Sequence, residues 1–301
     1  MRASNKREPS NFGNCDVRFP DTHGCEEFYP DVESQGNYEE GHEKPTILVK
    51  IGGSTFGSGD TTIEDLVNLQ KQGDQVIVVH GGGRTISEWM DNQGIRPKFI
   101  GGLRVTDLRS LDIAVSVLAG LINKSLVASI NLRGGKAIGL SGVDGAMIQA
   151  EKANNDLGYV GRIKSVDVGP LRHVLDSGYI PVVAPIGIDL SRDVGQDGEM
   201  LNINADTVAG KLSEAMKADK MVFLTDVTGV LDSSNRLISR ITERQASTLV
   251  RSKVIAGGMI PKIEACLSAV KAGGASYIVD GREPRALGRA LSGQVLGTRI
   301  G

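Results

Sequence analysis

Residues 46–85 read TILVKIGGSTFGSGDTTIEDLVNLQKQGDQVIVVHGGGRT, and their pattern decides the fold class. Residues 47–51 and 76–80 are short, nearly unbroken apolar runs, each closed by glycines. A strand with one wet face alternates apolar and polar residues, whereas a continuous run suits a strand buried on both faces of a mostly parallel sheet. Between the two runs, residues 63–72 carry apolar side chains at a spacing near 3.6, the period of an amphipathic helix. Strand, helix and strand in this order predict a parallel unit with a crossover helix.

The same alternation extends outward. Apolar runs recur at 137–140, 180–184, 221–225 and 277–279, and helical spacing at 108–132, 205–216, 260–272 and 284–291. The expected fold is therefore α/β, with an open, layered, mainly parallel sheet. Residues 144–168 and 189–203 are more strand-like and glycine-punctuated, and are expected to form hairpins decorating the sheet. No repeat of fixed period is present.

Composition narrows the function classes. The 301 residues are 40% hydrophobic and 4% aromatic, with 39 glycines and a formal net charge of -2. No basic field exists to attract a nucleic acid or an anionic membrane. No apolar run approaches the roughly 20 residues of a membrane span. Cys15, Cys25 and Cys266 are too scattered for a disulfide framework, so a reducing cytoplasm is expected. Met1 to Ser10 is polar with no apolar stretch behind it, unlike a signal peptide, and the acids among residues 1–43 disfavour a transit peptide. Residues 1–43 lack strand and helix periodicity and are read as a disordered tail, whose aromatics Phe12, Phe19, Phe28, Tyr29 and Tyr38 leave a docking role open. The body of the protein starts at Lys44.

In an open parallel sheet, ligands collect beyond the carboxyl ends of the strands. Two strands end there in glycine clusters, Gly52-Gly53-Ser54 and Gly81-Gly82-Gly83. Backbone N–H groups that approach this closely, together with the helix start near Thr85, are suited to anionic oxygen. Taken alone, such glycines are more often tight-turn requirements than a site, and neither GxxxxGK[ST] nor GxGxxG is present. Lys50 adds weight, because an ammonium at the end of an apolar strand must find water or a partner.

Two helix starts supply further polar groups. Asn202-Ile203-Asn204-Ala205-Asp206 enters the helix at 205–216, with Asn204 a candidate N-cap and Asn202 and Asp206 on one face if helical geometry has already begun. Gly257-Gly258-Met259-Ile260-Pro261-Lys262 opens the next helix and sets Lys262 in its first turn, against the helix dipole. A solvated surface lysine is the plainer reading of Lys262. Two lysines and an aspartate, however, suit phosphoryl transfer to a carboxylate, where catalysis is positioning and positive charge. An ionised carboxylate acceptor needs no general base, and no Ser-His-Asp or Cys-His set stands out. His173 reads as structural and His80 as a strand-end residue without an assigned role. Arg104 is a natural bidentate clamp for a substrate carboxylate, or else a salt-bridge partner of Asp107. The turn Asp226-Val227-Thr228-Gly229-Val230-Leu231 is placed to meet adenine and ribose.

In order along residues 46–301, Lys50-Ile51-Gly52-Gly53, His80-Gly81-Gly82-Gly83, Gly102-Leu103-Arg104-Val105-Thr106-Asp107, Asn202-Ile203-Asn204-Ala205-Asp206, Thr225-Asp226-Val227, Gly258-Met259-Ile260-Pro261-Lys262 and Asp280-Gly281-Arg282 together resemble the amino acid kinase family. The likeness is strongest to members that act on N-acetyl-L-glutamate. The resemblance implies a mainly parallel sheet of about eight strands sandwiched between helices, homodimers, and MgATP as phosphoryl donor. It implies an N-terminal lobe, about 44–190, for the acyl amino acid and dimerisation, and a C-terminal lobe, about 191–301, for the nucleotide. By position, Lys50 and Lys262 would stabilise the transferring phosphoryl and Asp206 would orient them. Gly82, Gly83, Arg104 and Asn202 would hold the acceptor. Gly52, Gly53, Gly258 and the turn of Asp226, Val227, Gly229, Val230 and Leu231 would hold the nucleotide, with Mg2+ carried by ATP and no metal site on the protein.

The chain departs from the family pattern at Arg84, where a Pro or small residue is usual, at Met200-Leu201, and after Arg282. An extra cation at Arg84 keeps open a sister kinase acting on an aminoadipyl group, free or carrier-linked. A non-catalytic sensor on the same fold is a further alternative, against which Lys50, Asp206 and Lys262 all being present argues. A dehydrogenase would need GxGxxG with an acid about 20 residues on. Arginine-inhibited members carry an N-terminal amphipathic helix, and the sequence of residues 1–43 lacks that periodicity, so a dimer without arginine feedback is expected.

Overall fold

The computed structural model describes residues 44–52, 61–191, 199–294 and 297–301. The proposed tail, 1–43, and Gly53 lie outside them. Eight strands form the main sheet, in the spatial order Arg240–Ile241, Thr298–Ile300, Ala275–Asp280, Lys220–Thr225, Thr46–Ile51, Gln75–His80, Ile180–Ala184 and Ala137–Ser141. Neighbours pair in parallel, except that Thr298–Ile300 runs antiparallel to Ala275–Asp280. All six apolar runs predicted as strands are strands.

Alternation along each strand divides the core between the two sheet faces. Ile47, Val49 and Ile51 pack with Val76, Val78, Val222 and Leu224 under the helices Thr62–Gln72, Asn123–Leu132 and Ala286–Leu291. Leu48 points to the opposite face with Ile77, Val79, Met221 and Phe223, under the helices Ala205–Met216 and Met259–Lys271. Lys50 follows Leu48 at the strand period of two, so it emerges on that second face.

The hairpins differ from the expectation of simple decorations. Ile148–Lys152 pairs antiparallel with Gly161–Val166, and Ile186–Asp189 with Glu199–Asn202; a single parallel contact, Gln149 to Ile188, joins them into a separate four-stranded sheet. Predicted positions 108–132 form one continuous helical rod, but with a π-helical segment, Ser116–Ile122, at its middle. Contrary to the expectation from the sequence, this 25-residue helix is long and apolar enough to cross a membrane by length and composition. Its Leu111, Ile113, Ala114, Val117, Leu118, Leu126 and Ile130 are nonetheless buried within the fold, as is the polar Asn123.

Candidate active site

Hydrogen bonding at the carboxyl edge of the sheet continues one residue past the strands. Gly81 N–H donates to Ile51 O, Gly52 N–H to Leu224 O, and Gly281 N–H to Thr225 O, each at 2.8–2.9 Å. The glycine turns, Thr225-Asp226 and Asp280 therefore share one edge, where the strand ends stand level.

A cavity of about 230 Å3 opens there, lined by Lys50, the Gly81-Gly82-Gly83 turn, Arg104, Asn202 and Asp206, with Ile86, Phe99, Leu118 and Val160 giving apolar wall. Three separate features of the chain converge on it. The strand Thr46–Ile51 brings Lys50. The helix Ala205–Met216 brings Asp206 in its first turn, capped as expected by Asn204, whose side-chain oxygen accepts from the N–H groups of Asp206 and Thr207 at 2.9 and 3.1 Å. The helix Met259–Lys271 brings Lys262, which is not part of the lining itself, up to Asp206.

The last two helices cross closely because Gly210 has no side chain: a Cβ there would lie 2.7 Å from both Cα and Cβ of Ala265. That approach brings their first turns together. Asp206 Oδ1 sits 2.7 Å from Lys50 Nζ, and Lys262 Nζ donates to Oδ2 at 2.8 Å. Burial alone would push the Asp206 carboxyl up, but the two ammoniums prevail and hold it below the ordinary carboxylate range. The result is a buried anion between two cations, a cluster with net positive charge that reaches the cavity through Lys50 and Asp206. Such an arrangement attracts an anionic group arriving from the open side.

Arg104 is buried, and its guanidinium donates to the Gly83 carbonyl at 2.7 Å and to Ser87 Oγ at 2.8 Å, while stacking over Phe99 at 4.7 Å. Burial lowers its pKa, as expected for a cation removed from water. Asp107 is not its partner; it caps the helix that follows by accepting from Ser110 N–H at 2.8 Å. Asn202 ends the strand Glu199–Asn202 and so does not share a helical face with Asp206, yet both line the cavity; its amide donates to Thr106 Oγ1 at 3.2 Å.

The nucleotide candidates lie apart from this lining. Val227 and Leu231 are exposed, but Val230 is buried in the core and its N–H donates to Thr298 Oγ1 at 2.8 Å. Its side chain and amide are both committed within the fold. Gly229 is wedged against Leu237 and Thr298. Gly258 faces open space, and its carbonyl accepts from Lys262 Nζ at 3.4 Å. The side chain of Arg84 is 76% exposed and pairs with Glu88, one helical turn on; it does not line the cavity. His173, exposed on the helix Gly169–Asp176, bonds only locally to Gly169 O. Reading the sequence missed Ser87, Phe99 and Asn123, none of which belongs to a local motif.

Among the described residues no group of three or more His, Cys, Asp or Glu is placed to hold a metal, and both Asp206 oxygens already face lysines.

The chain is similar to known proteins over most of its length. The model of the amino acid kinase family matches residues 45–280. An acetylglutamate kinase from Caldanaerobacter subterraneus subsp. tengcongensis is 42% identical over 266 residues, covering 85% of this chain and 87% of its own length. One from Agrobacterium fabrum is 42% identical over 276 residues, covering 86% and 92%. The crystal structure of smu.665 from Streptococcus mutans superposes with a TM-score of 0.71 at 30% identity, over 85% of this chain and 98% of that one.

Proposed function

The chain belongs to the amino acid kinase family, and from that premise we propose that it phosphorylates the γ-carboxylate of N-acetyl-L-glutamate with ATP, giving N-acetyl-L-glutamyl 5-phosphate and ADP, the second step of arginine biosynthesis. The observation that carries the reaction type is the Lys50–Asp206–Lys262 chain of charges, whose first two members line the cavity. A carboxylate oxygen of the acceptor attacks the γ-phosphorus in line, a P–O bond forms, and the bond to the β,γ-bridging oxygen breaks as ADP leaves. The acceptor is already ionised at neutral pH, so the protein has no proton to remove. Its task is to bring two anions together, which Lys50 and Lys262 support by placing positive charge around the transferring group. Asp206 holds the two ammoniums apart and aimed.

In this reading Arg104 and Asn202 hold the acceptor's α-carboxylate and acyl end, and Gly82 and Gly83 offer N–H groups to anionic oxygen. The nucleotide lies over the C-terminal part, along Gly52, Gly53, Gly258 and the turn of Asp226, Val227, Gly229, Val230 and Leu231. Mg2+, bound to the ATP phosphates, would draw charge from the β- and γ-phosphoryl oxygens. The aminoadipyl alternative loses its main support, since Arg84 is paired outside the cavity. A homodimer fits the exposed Leu121, Leu132 and Ile138 on the long helix and the edge strand. A cytoplasmic location and the absence of arginine feedback remain part of the proposal; a hexamer in sedimentation, or inhibition by sub-millimolar arginine, would remove the latter.

The deciding experiment traps the acyl phosphate with hydroxylamine in the presence of MgATP. N-acetylglutamate is expected to give hydroxamate well above N-acetylaspartate, N-acetylaminoadipate and free glutamate. A stronger signal from aminoadipate would transfer the assignment to the sister kinase, and none at all would favour a sensor.

A further inference from the structure

Beneath the Gly81-Gly82-Gly83 turn the long helix changes period: Ser116–Ile122 is π-helical, between the α-helical segments Leu108–Val115 and Asn123–Leu132. A π-segment weakens the backbone ladder and rotates the face that follows it, and such segments concentrate at functional sites. Here the rotation delivers Leu118, Ile122 and Asn123 to one place. A Cβ on Gly82 would lie 2.5 Å from Ile122 Cδ1 and 2.7 Å from Leu118 Cδ2, so these two side chains occupy the space the glycine leaves.

Asn123 is fully buried. Its Nδ2 carries two hydrogens: one goes to Val182 O at 2.8 Å, and the other is shared between Leu140 O and His80 Nε2, each at 3.3 Å. Main-chain carbonyls can only accept, so they fix which end of the amide faces His80. An NH2 group opposite Nε2 requires that nitrogen to be unprotonated, which puts the imidazole proton on Nδ1. That atom lies 2.9 Å from the Gly81 carbonyl, to which it donates. Burial, aided by the Lys50 ammonium, pushes the His80 pKa down to about 4, so the ring is neutral at neutral pH. In a trans peptide the carbonyl and the next N–H point in opposite directions. Drawing Gly81 O toward His80 therefore turns Gly82 N–H the other way, and Gly82 itself is one of the residues lining the cavity.

We propose that Asn123 and His80 are positioning residues for the acceptor site: the π-helical turn delivers Asn123, Asn123 sets the imidazole tautomer, and the imidazole aims the Gly82 amide into the cavity. The inference rests on the kinase reading for what the amide meets there, and on geometry alone for the link between the two side chains.

Two measurements on the full chain test it separately. Nitrogen NMR of histidine-labelled protein reads the tautomer directly; the chain has 4 histidines, and the His80 signal is identified by its loss in His80→Asn. The Nδ1–H form is expected in the wild type, and Asn123→Leu is expected to abolish its dominance. An Nε2–H wild type, or a tautomer unmoved by Asn123→Leu in a folded variant, would overturn the link. In the hydroxamate assay, His80→Leu is expected to raise the KM for N-acetylglutamate at least tenfold with the KM for ATP changed less than twofold. His80→Asn, whose amide reaches the Gly81 carbonyl, is expected to recover activity to within threefold of wild type. Equal damage from both variants, or KM values for both substrates rising together with a fall in Tm, would reduce His80 to a packing residue. An inactive wild type would defeat the kinase reading while the NMR arm still decided the link; an active wild type indifferent to His80→Leu would defeat this inference alone.

Discussion

Lys262 stands where an isolated helix least favours a cation, in the first turn and against the dipole. Asp206 offsets that penalty, and is itself favoured at its own helix start. A position kept against local preference and satisfied only by a long-range partner is expected to matter in the transition state more than in binding. Lys262→Ala should lower kcat by roughly 10²–10³-fold, the range for loss of one preorganised electrostatic group, with little change in the KM for ATP. Initial rates of hydroxamate formation over an ATP series check this, and a variant that mainly raises the KM for ATP would make Lys262 a nucleotide-binding residue instead. At this scale the sequence was readable where a polar residue sits at punctuation: Lys50 before a Gly-Gly turn, Asp206 after an N-cap, Arg104 in a glycine-led turn. Asn123 carries no such mark. It lies within an apolar helical run, and its partners at Leu140 and Val182 become neighbours only once the sheet is assembled. Val230 carries no mark of its packing either, because a turn position offers no local sign that its amide will close on Thr298.

Between elements, the decisive contact is the crossing of the helices Ala205–Met216 and Met259–Lys271 at Gly210 and Ala265. One turn separates Gly210 from Asp206, so the same contact that packs the helices sets the reach of the ion pair. Gly210→Val places branched carbon against main-chain atoms that no rotamer can avoid. Overpacking of this kind costs roughly 1–3 kcal/mol, or about 2–10 °C in Tm for a chain of this size class. It should also lower kcat by more than the folded fraction explains, because Lys262 retreats from Asp206. Thermal unfolding followed by circular dichroism, together with kcat below the transition, checks both; unchanged kcat in a destabilised variant would separate packing from catalysis. The central strands were legible as continuous apolar runs. The helix Glu243–Arg251 was not, although Thr242 and Gln245 form a capping box that marks its start. Edge strands as short as Arg240–Ile241 hold too few residues for any period to show, and the joining of two hairpins through Gln149 and Ile188 is a tertiary event.

For the molecule as a whole, the buried charges set how stability responds to acid. His80 has a folded pKa of about 4 against an ordinary 6.5, so between those values the unfolded chain binds the additional proton. Its contribution is complete above the ordinary value and is lost as pH falls from about 6.5 toward 4, about 3 kcal/mol in all at ~1.4 kcal/mol per unit. Asp206 and Asp280, held below the ordinary carboxylate range despite burial, the first by two lysines and the second by Arg282, add stability that is present above the usual aspartate value and lost below it. Asp65 runs in the opposite sense: burial raises its pKa, so the folded state takes up its proton first and gains slightly on acidification. The wild type should therefore lose stability in two stages, a gradual one starting near pH 6.5 and a steeper one below about pH 4. Urea unfolding from pH 7.5 to 3.5 measures both, with His80→Leu as the comparison. That variant is expected to be flat through the first stage and to rejoin the wild-type slope in the second, because Asp206 and Asp280 are untouched. A wild type that is flat from pH 7 to 4.5 would mean that the imidazole is charged or solvated in the folded protein, and with it would go the neutral Nδ1–H donor on which the Gly81 carbonyl depends.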